Sequence, residues 1–570
     1  MGARPDALGD VGPAARPGPG VPAPAPLSPA LSASSSLRSP AARAALAGGA
    51  TRLATAAGTA GRGPRRGLDA LAALLTALAG LLVFSHRLAA PSPWRDEAVT
   101  VAVVRRSAAQ IADLVREVDL VHAPHYFLAH ALLGRDADVV DVRWISVVAA
   151  ALTAAALYGT ARRAVLASPG GGPDGGVGPG LARLAGLTAA LVWVATPFAS
   201  RYAQEARPYA LAALLVTVST YCLLRRWWAA YALTLLLITA VNSTALLVLL
   251  AHAGWTLASP GTRRRAALAA AAGLALSAPL LLAQSRQRGQ VAFLQPPAPA
   301  DLLGHATFAL GGTAGALLAA AAAVVACVLA RARRAVLLGV LWGVAWVPLL
   351  WLLSQVHPLW TTRYLVPVAP GTCLLLATVV TAGWGATRSA RRARALPARP
   401  GVPAVGLAAA LVAGTAAAGW HMQVVFRDSA IGHGEDLRGT AELIAEGARP
   451  GDGLLFVPDG EYRYRVVTQL YPEAFAGLED LALAEPAAAS GTLVGVPREP
   501  AQVAAALARV DRVWVVGGPG ELLAATPADA ATIVALQGWE VVQEADRRAF
   551  SVRLMEPAGA PEPVTTTPSP

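Results

Sequence analysis

Residues 68–97 read LDALAALLTALAGLLVFSHRLAA, then PSP, then WRDE: an apolar run from Leu68 to Ala90, a proline-flanked break, and the charged cluster Trp94, Arg95, Asp96 and Glu97. The run is long enough to cross a bilayer, which takes roughly 20 apolar residues. Similar runs recur at about 141–161, 181–199, 208–224, 229–241, 243–260, 266–283, 305–330, 335–353, 364–384 and 402–421, giving eleven predicted spans. An adjacent carboxylate pair where a span meets water is a poor way to end a helix, which marks Asp96 and Glu97 for a different task.

Composition agrees with a polytopic membrane protein. The chain has 570 residues, 55% of them hydrophobic and 14% charged, with mean hydropathy +0.49. A soluble fold of that size has too little interior to hide so much apolar surface. The net charge is +12, and every basic residue is arginine. With the Ala, Gly and Pro richness this reads as GC-rich coding, so arginine content alone is weak support for phosphate binding. The arginines lie in small clusters between apolar runs, which argues against nucleic acid as a partner. Cys222, Cys327 and Cys373 all fall inside apolar runs and cannot staple an exported domain.

The clusters set a topology. Arg62, Arg65 and Arg66 precede the first run; Arg162–Arg163, Arg225–Arg226, Arg263–Arg265, Arg331 with Arg333–Arg334, and Arg388 with Arg391, Arg392 and Arg394 follow the second, fourth, sixth, eighth and tenth. With eleven spans all lie on one side, which the positive-inside rule makes the cytoplasm of a plasma-membrane protein. A twelfth span at 124–134 is too short and would scatter the clusters. Residues 1–66 are then a disordered cytoplasmic tail, and 67–426 the transmembrane domain with a first external loop at 91–140. In that loop 107–118 carries Ile111, Leu114, Val115 and Val118 at helical spacing, which predicts an interfacial amphipathic helix, with a second over 124–133.

From about 428 the pattern changes. Strand-like runs at 454–457, 492–496, 513–516, 539–542 and 550–554 alternate with helix-like runs near 436–447, 500–509 and 526–537. This predicts a small extracytoplasmic α/β domain over 427–556 and a disordered tail over 557–570. Gly517–Gly520 after a strand reads as a turn rather than a phosphate cradle.

Several polar groups stand out near span ends. Asp119, His122 and His125 offer a metal-like spacing, although histidine pairs at i, i+3 mostly form hydrogen bonds. Arg143 begins the second span, where an arginine either snorkels to the headgroups or pairs, the first-loop carboxylates being the functional choice of partner. The segment 201–209 (RYAQEARPY) crowds Arg201, Glu205 and Arg207 with two tyrosines. Arg286 and Arg288, with Arg363 beside Tyr364, are outward arginines that suit an anionic lipid headgroup or phosphate. Asn242-Ser243-Thr244 matches a glycosylation sequon at a membrane boundary.

These stretches together (Trp94–Glu97, Val118–His122 with Tyr126, Arg143 with Ser146, 201–209, and Arg363-Tyr364 before Pro367) resemble the polyprenyl-phosphate-sugar-dependent membrane glycosyltransferases of the C-type fold, the protein O-mannosyltransferase and aminoarabinose transferase group, in an actinobacterial-type branch. Ala123 and Pro124 stand where members often carry two prolines. The resemblance covers about 68–425. It implies that Asp96 acts as general base, with Glu97 orienting Asp96 or the acceptor. Asp119, His122, Arg143, Glu205, Arg207, Arg288, Arg363 and Tyr364 become substrate-binding candidates. The implied partners are a polyprenyl-phosphate sugar, most simply mannose, the bilayer, and an extracytoplasmic protein, lipid or glycan acceptor. No obligate cofactor is implied, a divalent cation being the possible addition. Two rivals are a transporter or flippase, which predicts internal repeats and mid-span charges, and a non-catalytic envelope-assembly protein, which predicts a tolerant Asp96-Glu97 pair.

Overall fold

Each of the eleven apolar runs folds into a helical segment. A computed structural model describes residues 63–168, 177–382, 401–429, 433–458 and 462–559. The tail expected over 1–66 therefore lies outside the described residues except for the start of α1, and so does the arginine cluster at 388–394. In chain order the helices of the first part are α1 Gly63–Ser85, α2 Arg95–Val104, α3 Ala108–Glu117, α4 Ala123–Leu133, α5 Val139–Leu166, α6 Pro179–Ala195, α7 Pro197–Ala203, α8 Tyr209–Arg225 and α9 Trp228–Val241. They continue with α10 Leu249–Leu257, α11 Arg263–Arg286, α12 Ala300–Leu310, α13 Thr313–Leu329, α14 Arg333–Gly343, α15 Trp346–Leu353, α16 Ala369–Ala377 and α17 Val402–Val425. Six helical segments are long and apolar enough to cross a bilayer, and two bent pairs, α6–α7 and α12–α13, raise that to eight. Three shorter apolar helices, 209–225, 228–241 and 243–257, complete the set.

The bends have sequence causes. Pro197 opens α7 and turns it 63° from α6. Gly311 and Gly312, at φ 84° and 96°, turn α13 by 92° from α12, a backbone path that side chains with a Cβ disfavour.

The two ends of the bundle differ chemically. Arg143 and Arg163 stand about 30 Å apart along α5 at the helical rise. At the Arg163 end, Arg163, Arg226 and Arg334 line one shallow pocket with Ser259–Thr262. Asp69, near the start of α1, pairs with Arg162 and Arg183 at 2.8 Å each. The Arg143 end carries α2–α4, the 201–209 turn and the exit of α17. α1 thus begins at the arginine-rich end and α17 finishes at the other.

After α17 come α18 Leu437–Gly447, α19 Tyr462–Leu470, α20 Pro500–Leu507 and α21 Pro527–Ala535 around a sheet. The strands are β1 Gly453–Val457, β2 Glu479–Asp480, β3 Leu483–Glu485, β4 Val496–Pro497, β5 Val513–Gly517, β6 Trp539–Arg547 and β7 Phe550–Pro557. The five-stranded sheet runs β2-β1-β5-β7-β6, parallel at β2-β1-β5 and antiparallel at β5-β7-β6. β1, β5, β6 and β7 fall on predicted strands. The predicted strand at 492–496 does not form: Gly495 sits at φ 97° and only Val496–Pro497 pairs, with β3. β7 runs to Pro557, into the stretch expected as tail, and 560–570 lie outside the described residues.

The sheet is no separate body; from Gly67 onward the chain forms one compact unit. The interfacial-helix expectation needs correcting here. Ser107 caps α3 through a capping box with Gln110, and Ile111, Leu114 and Val115 form its apolar face as the spacing predicts. That face meets protein: Ile111, Leu114 and Tyr126 share a core with Ile444, Phe456, Trp514 and Phe550. Apolar periodicity reports that a face is buried without reporting against what. α19 lies on α2, and Arg105 donates to the carbonyls of Gln469 and Leu470 at 3.1 and 3.3 Å.

Candidate active site

The carboxylate pair belongs to a helix start. Trp94 precedes α2, and Asp96 and Glu97 occupy its first turn, where the unpaired backbone N–H groups favour negative charge. The pair does not end a helix badly; it begins the next one well. Successive residues on a helix point about 100° apart, so the two acids separate at once.

Glu97 turns inward and is fully buried. Arg143 Nε and Nη2 donate to its two oxygens at 2.8 and 2.7 Å, and the Ala206 backbone N–H adds a third bond at 2.7 Å. Arg143 spends its remaining nitrogen on the carbonyls of Leu88 and Pro91 at 2.9 and 3.0 Å. This pair ties the α1–α2 connection and the 204–208 turn to α5. Neither residue lines the neighbouring cavity. An acceptor-orienting role for Glu97 and direct substrate binding by Arg143 therefore do not fit the geometry; they hold the site from behind.

Asp96 faces the cavity. Its Oδ2 lies 3.2 Å from Arg363 Nη1 and 3.8 Å from Arg207 Nη2. Arg207 also donates to Thr100 Oγ1 at 3.2 Å and to His122 Nε2 at 2.6 Å. Accepting from a guanidinium fixes the neutral His122 tautomer, and burial followed by the charge of Arg207 holds its pKa well below the ordinary range. That hydrogen bond occupies the Nε2 lone pair. Among the described residues no three His, Cys, Asp or Glu side chains converge as metal ligands. Asp119, at φ 61°, accepts from Tyr126 Oη at 2.8 Å, and burial raises its pKa against the opposing pull of Arg207. Arg363 stacks over the Trp94 ring, 5.5 Å from its centroid.

The cavity holds about 480 Å³ and is lined by Asp96, Asp119, His122, Arg207, Arg363 and Tyr364 among others. An adjoining lobe of about 310 Å³ shares His122, Tyr209, Gln290 and Tyr364 with it and adds Arg288. Glu205 reaches neither. It is buried against Arg201 at 2.9 Å, with burial lifting its pKa to about 7 despite that arginine. Arg207, two residues on, does line the cavity.

The segment after α17 supplies groups that sequence reasoning did not select. His433 bonds Arg201. Glu435 accepts from the Arg95 backbone N–H at 2.8 Å and pairs with its guanidinium at 3.4 Å. Leu493 lines the cavity. Nothing in the local sequence of these residues signals a partner more than 200 positions away. The only available hint was a charged stretch directly following the last span.

No protein-family sequence profile and no curated protein matches the chain. Solved structures do. ArnT from Cupriavidus metallidurans in the apo state superposes with TM-score 0.50 at 16% identity, over 84% of this chain and 97% of that one. The same ArnT bound to undecaprenyl phosphate gives 0.48 at 15% identity over the same shares. The archaeal oligosaccharyltransferase AglB from Archaeoglobus fulgidus, in complex with an inhibitory peptide and a dolichol-phosphate, gives 0.45 at 9% identity, over 86% and 74%. The first match establishes a shared fold: a polytopic helical membrane protein of the C-type architecture with a C-terminal sheet domain.

Proposed function

We propose that this chain is a membrane glycosyltransferase moving a sugar, mannose on the family resemblance, from a polyprenyl-phosphate donor to a hydroxyl-bearing extracytoplasmic acceptor. The observation that carries the reading is Asp96 facing one cavity together with the guanidiniums of Arg207 and Arg363. In this reading the acceptor hydroxyl gives its proton to Asp96 as its oxygen bonds to the anomeric carbon. The bond from that carbon to the phosphate oxygen breaks on the opposite face, so the centre inverts and the electron pair leaves with polyprenyl phosphate. Arg207 and Arg363 balance the charge that develops on the leaving phosphate. A bound phosphate competes with Asp96 for the same two arginines, which strips the carboxylate of counter-charge and strengthens it as a base. No step is assigned to a metal. The arginine-rich end lies in the cytoplasm, which puts the cavity and the C-terminal sheet outside the plasma membrane. The test supplies purified protein in lipid with radiolabelled polyprenyl-phosphate mannose and envelope acceptors. Labelled acceptor and released polyprenyl phosphate in equal amounts support the reading; no transfer from mannose or any other lipid-linked sugar contradicts it.

A further inference from the structure

The 310 Å³ lobe beside the catalytic cavity holds polar atoms with nothing to bond. Asn242, between α9 and the 3₁₀ turn Ser243–Val248, is 5% exposed. Its Oδ1 accepts from the Thr244 N–H at 3.1 Å, which fixes the amide so that Nδ2 is the remaining donor, buried and without a partner. Gln284 is fixed the other way. Its Nε2 donates to the Thr239 carbonyl at 3.1 Å, leaving Oε1 as a buried acceptor without a partner. Gln290 Nε2, at the junction of the two cavities, is a third such atom. Buried polar atoms are nearly always satisfied, and one left bare costs about 1–3 kcal/mol. His122 Nδ1, a donor because Nε2 accepts from Arg207, is a fourth, and four in one lobe point to a ligand that satisfies them.

Their chemistry narrows that ligand. A phosphate only accepts and would leave Gln284 Oε1 facing another oxygen. Ligand hydroxyls both donate and accept, and so match orphaned donors and an orphaned acceptor together. No Asp or Glu lines this lobe, so nothing there would balance a cationic amine. Tyr209 and Tyr364, ring centroids 6.4 Å apart, give it an apolar wall. We infer that this lobe is the glycosyl subsite and that Asn242, Gln284 and Gln290 select a neutral, hydroxyl-rich sugar over an amino sugar. This rests on the glycosyltransferase reading and adds its sugar class. The sequon match at Asn242 is then a capping and recognition residue, its Nδ2 buried.

The test measures equilibrium binding to the full-length protein in lipid nanodiscs, separate from turnover. Three probes are compared: bare polyprenyl phosphate, the same lipid carrying mannose, and the same lipid carrying 4-amino-4-deoxyarabinose. The mannosyl lipid is expected to bind about tenfold tighter than the bare lipid, the gain one or two net hydrogen bonds supply, and the amino-sugar lipid to gain nothing. Gln284→Met should abolish the mannose gain with little change in binding of the bare lipid. Asn242→Asp keeps the cap while replacing the donor with a carboxylate, and should move the preference to the amino sugar. Equal affinity for all three lipids, a tighter amino-sugar lipid, or a Gln284→Met loss shared equally by the bare lipid would overturn the inference. Tight mannosyl-lipid binding without transfer would overturn the enzymatic reading and leave the subsite standing.

Discussion

Asp96 and Glu97 are neighbours in sequence and opposites in task. One faces a cavity between two arginines; the other is sealed against Arg143. Both members of the sealed pair are fully buried, and removing one charge strands the other at a cost of about 3–5 kcal/mol. Glu97→Gln should therefore lower the unfolding temperature and the yield of folded protein, which fluorescence-detected size exclusion with a thermal ramp would reveal. A folded, wild-type-stable Glu97→Gln protein would remove the positioning role. Glu205 gives a pH prediction. Its folded pKa of about 7 lies above the ordinary glutamate value, so the folded state binds the extra proton. Stability from this group is complete below the ordinary value and is lost as pH rises through 7. Glu205→Gln should remove that part of the decline between pH 5 and 8 in thermal scans, relative to wild type. The acids, Arg143, Arg207 and Arg363 were legible as candidates because each is a charge near a span end. Composition and spacing left open which acid meets the cavity, because that depends on the helical phase of α2, and only the family resemblance pointed to Asp96.

At the scale of elements, spacing predicted α3 and α4 and their apolar faces but assigned those faces to lipid. They share a core with residues of the C-terminal domain instead, and beside them Arg105, at the end of α2, donates to the carbonyls of Gln469 and Leu470 on α19. Sequence-distant burial of this kind leaves no local mark. The 462–470 helix was missed for a related reason: its arginines and glutamine mask a short apolar stripe, and Val466 and Val467 are fully buried. Arg105→Ala should loosen this joint. Hydrogen exchange is expected to accelerate in 95–104 and 464–470 together while the bundle helices stay protected. Acceleration in neither segment would mean that apolar packing alone holds the sheet in place.

For the whole molecule, the eleven apolar runs and their arginine clusters were the most legible features, because bilayer thickness and charge bias act on long stretches rather than single contacts. Among the described residues the buried charges of the bundle gather at one end instead of mid-span, which favours an interfacial reaction centre over a transport path. The positive-inside rule applied to the arginines predicts the orientation: alkaline phosphatase fused after residue 559 should be active and a green fluorescent protein fusion dark. The reverse pattern would place the site in the cytoplasm and remove the extracytoplasmic acceptor. The most direct test of the central claim compares wild type with Asp96→Asn, both purified in lipid and matched for folded fraction, for transfer from a radiolabelled polyprenyl-phosphate sugar. Transfer is expected to fall by about 100-fold or more, as loss of a general base does, while binding of the lipid phosphate persists. Undiminished transfer by folded Asp96→Asn would contradict the claim.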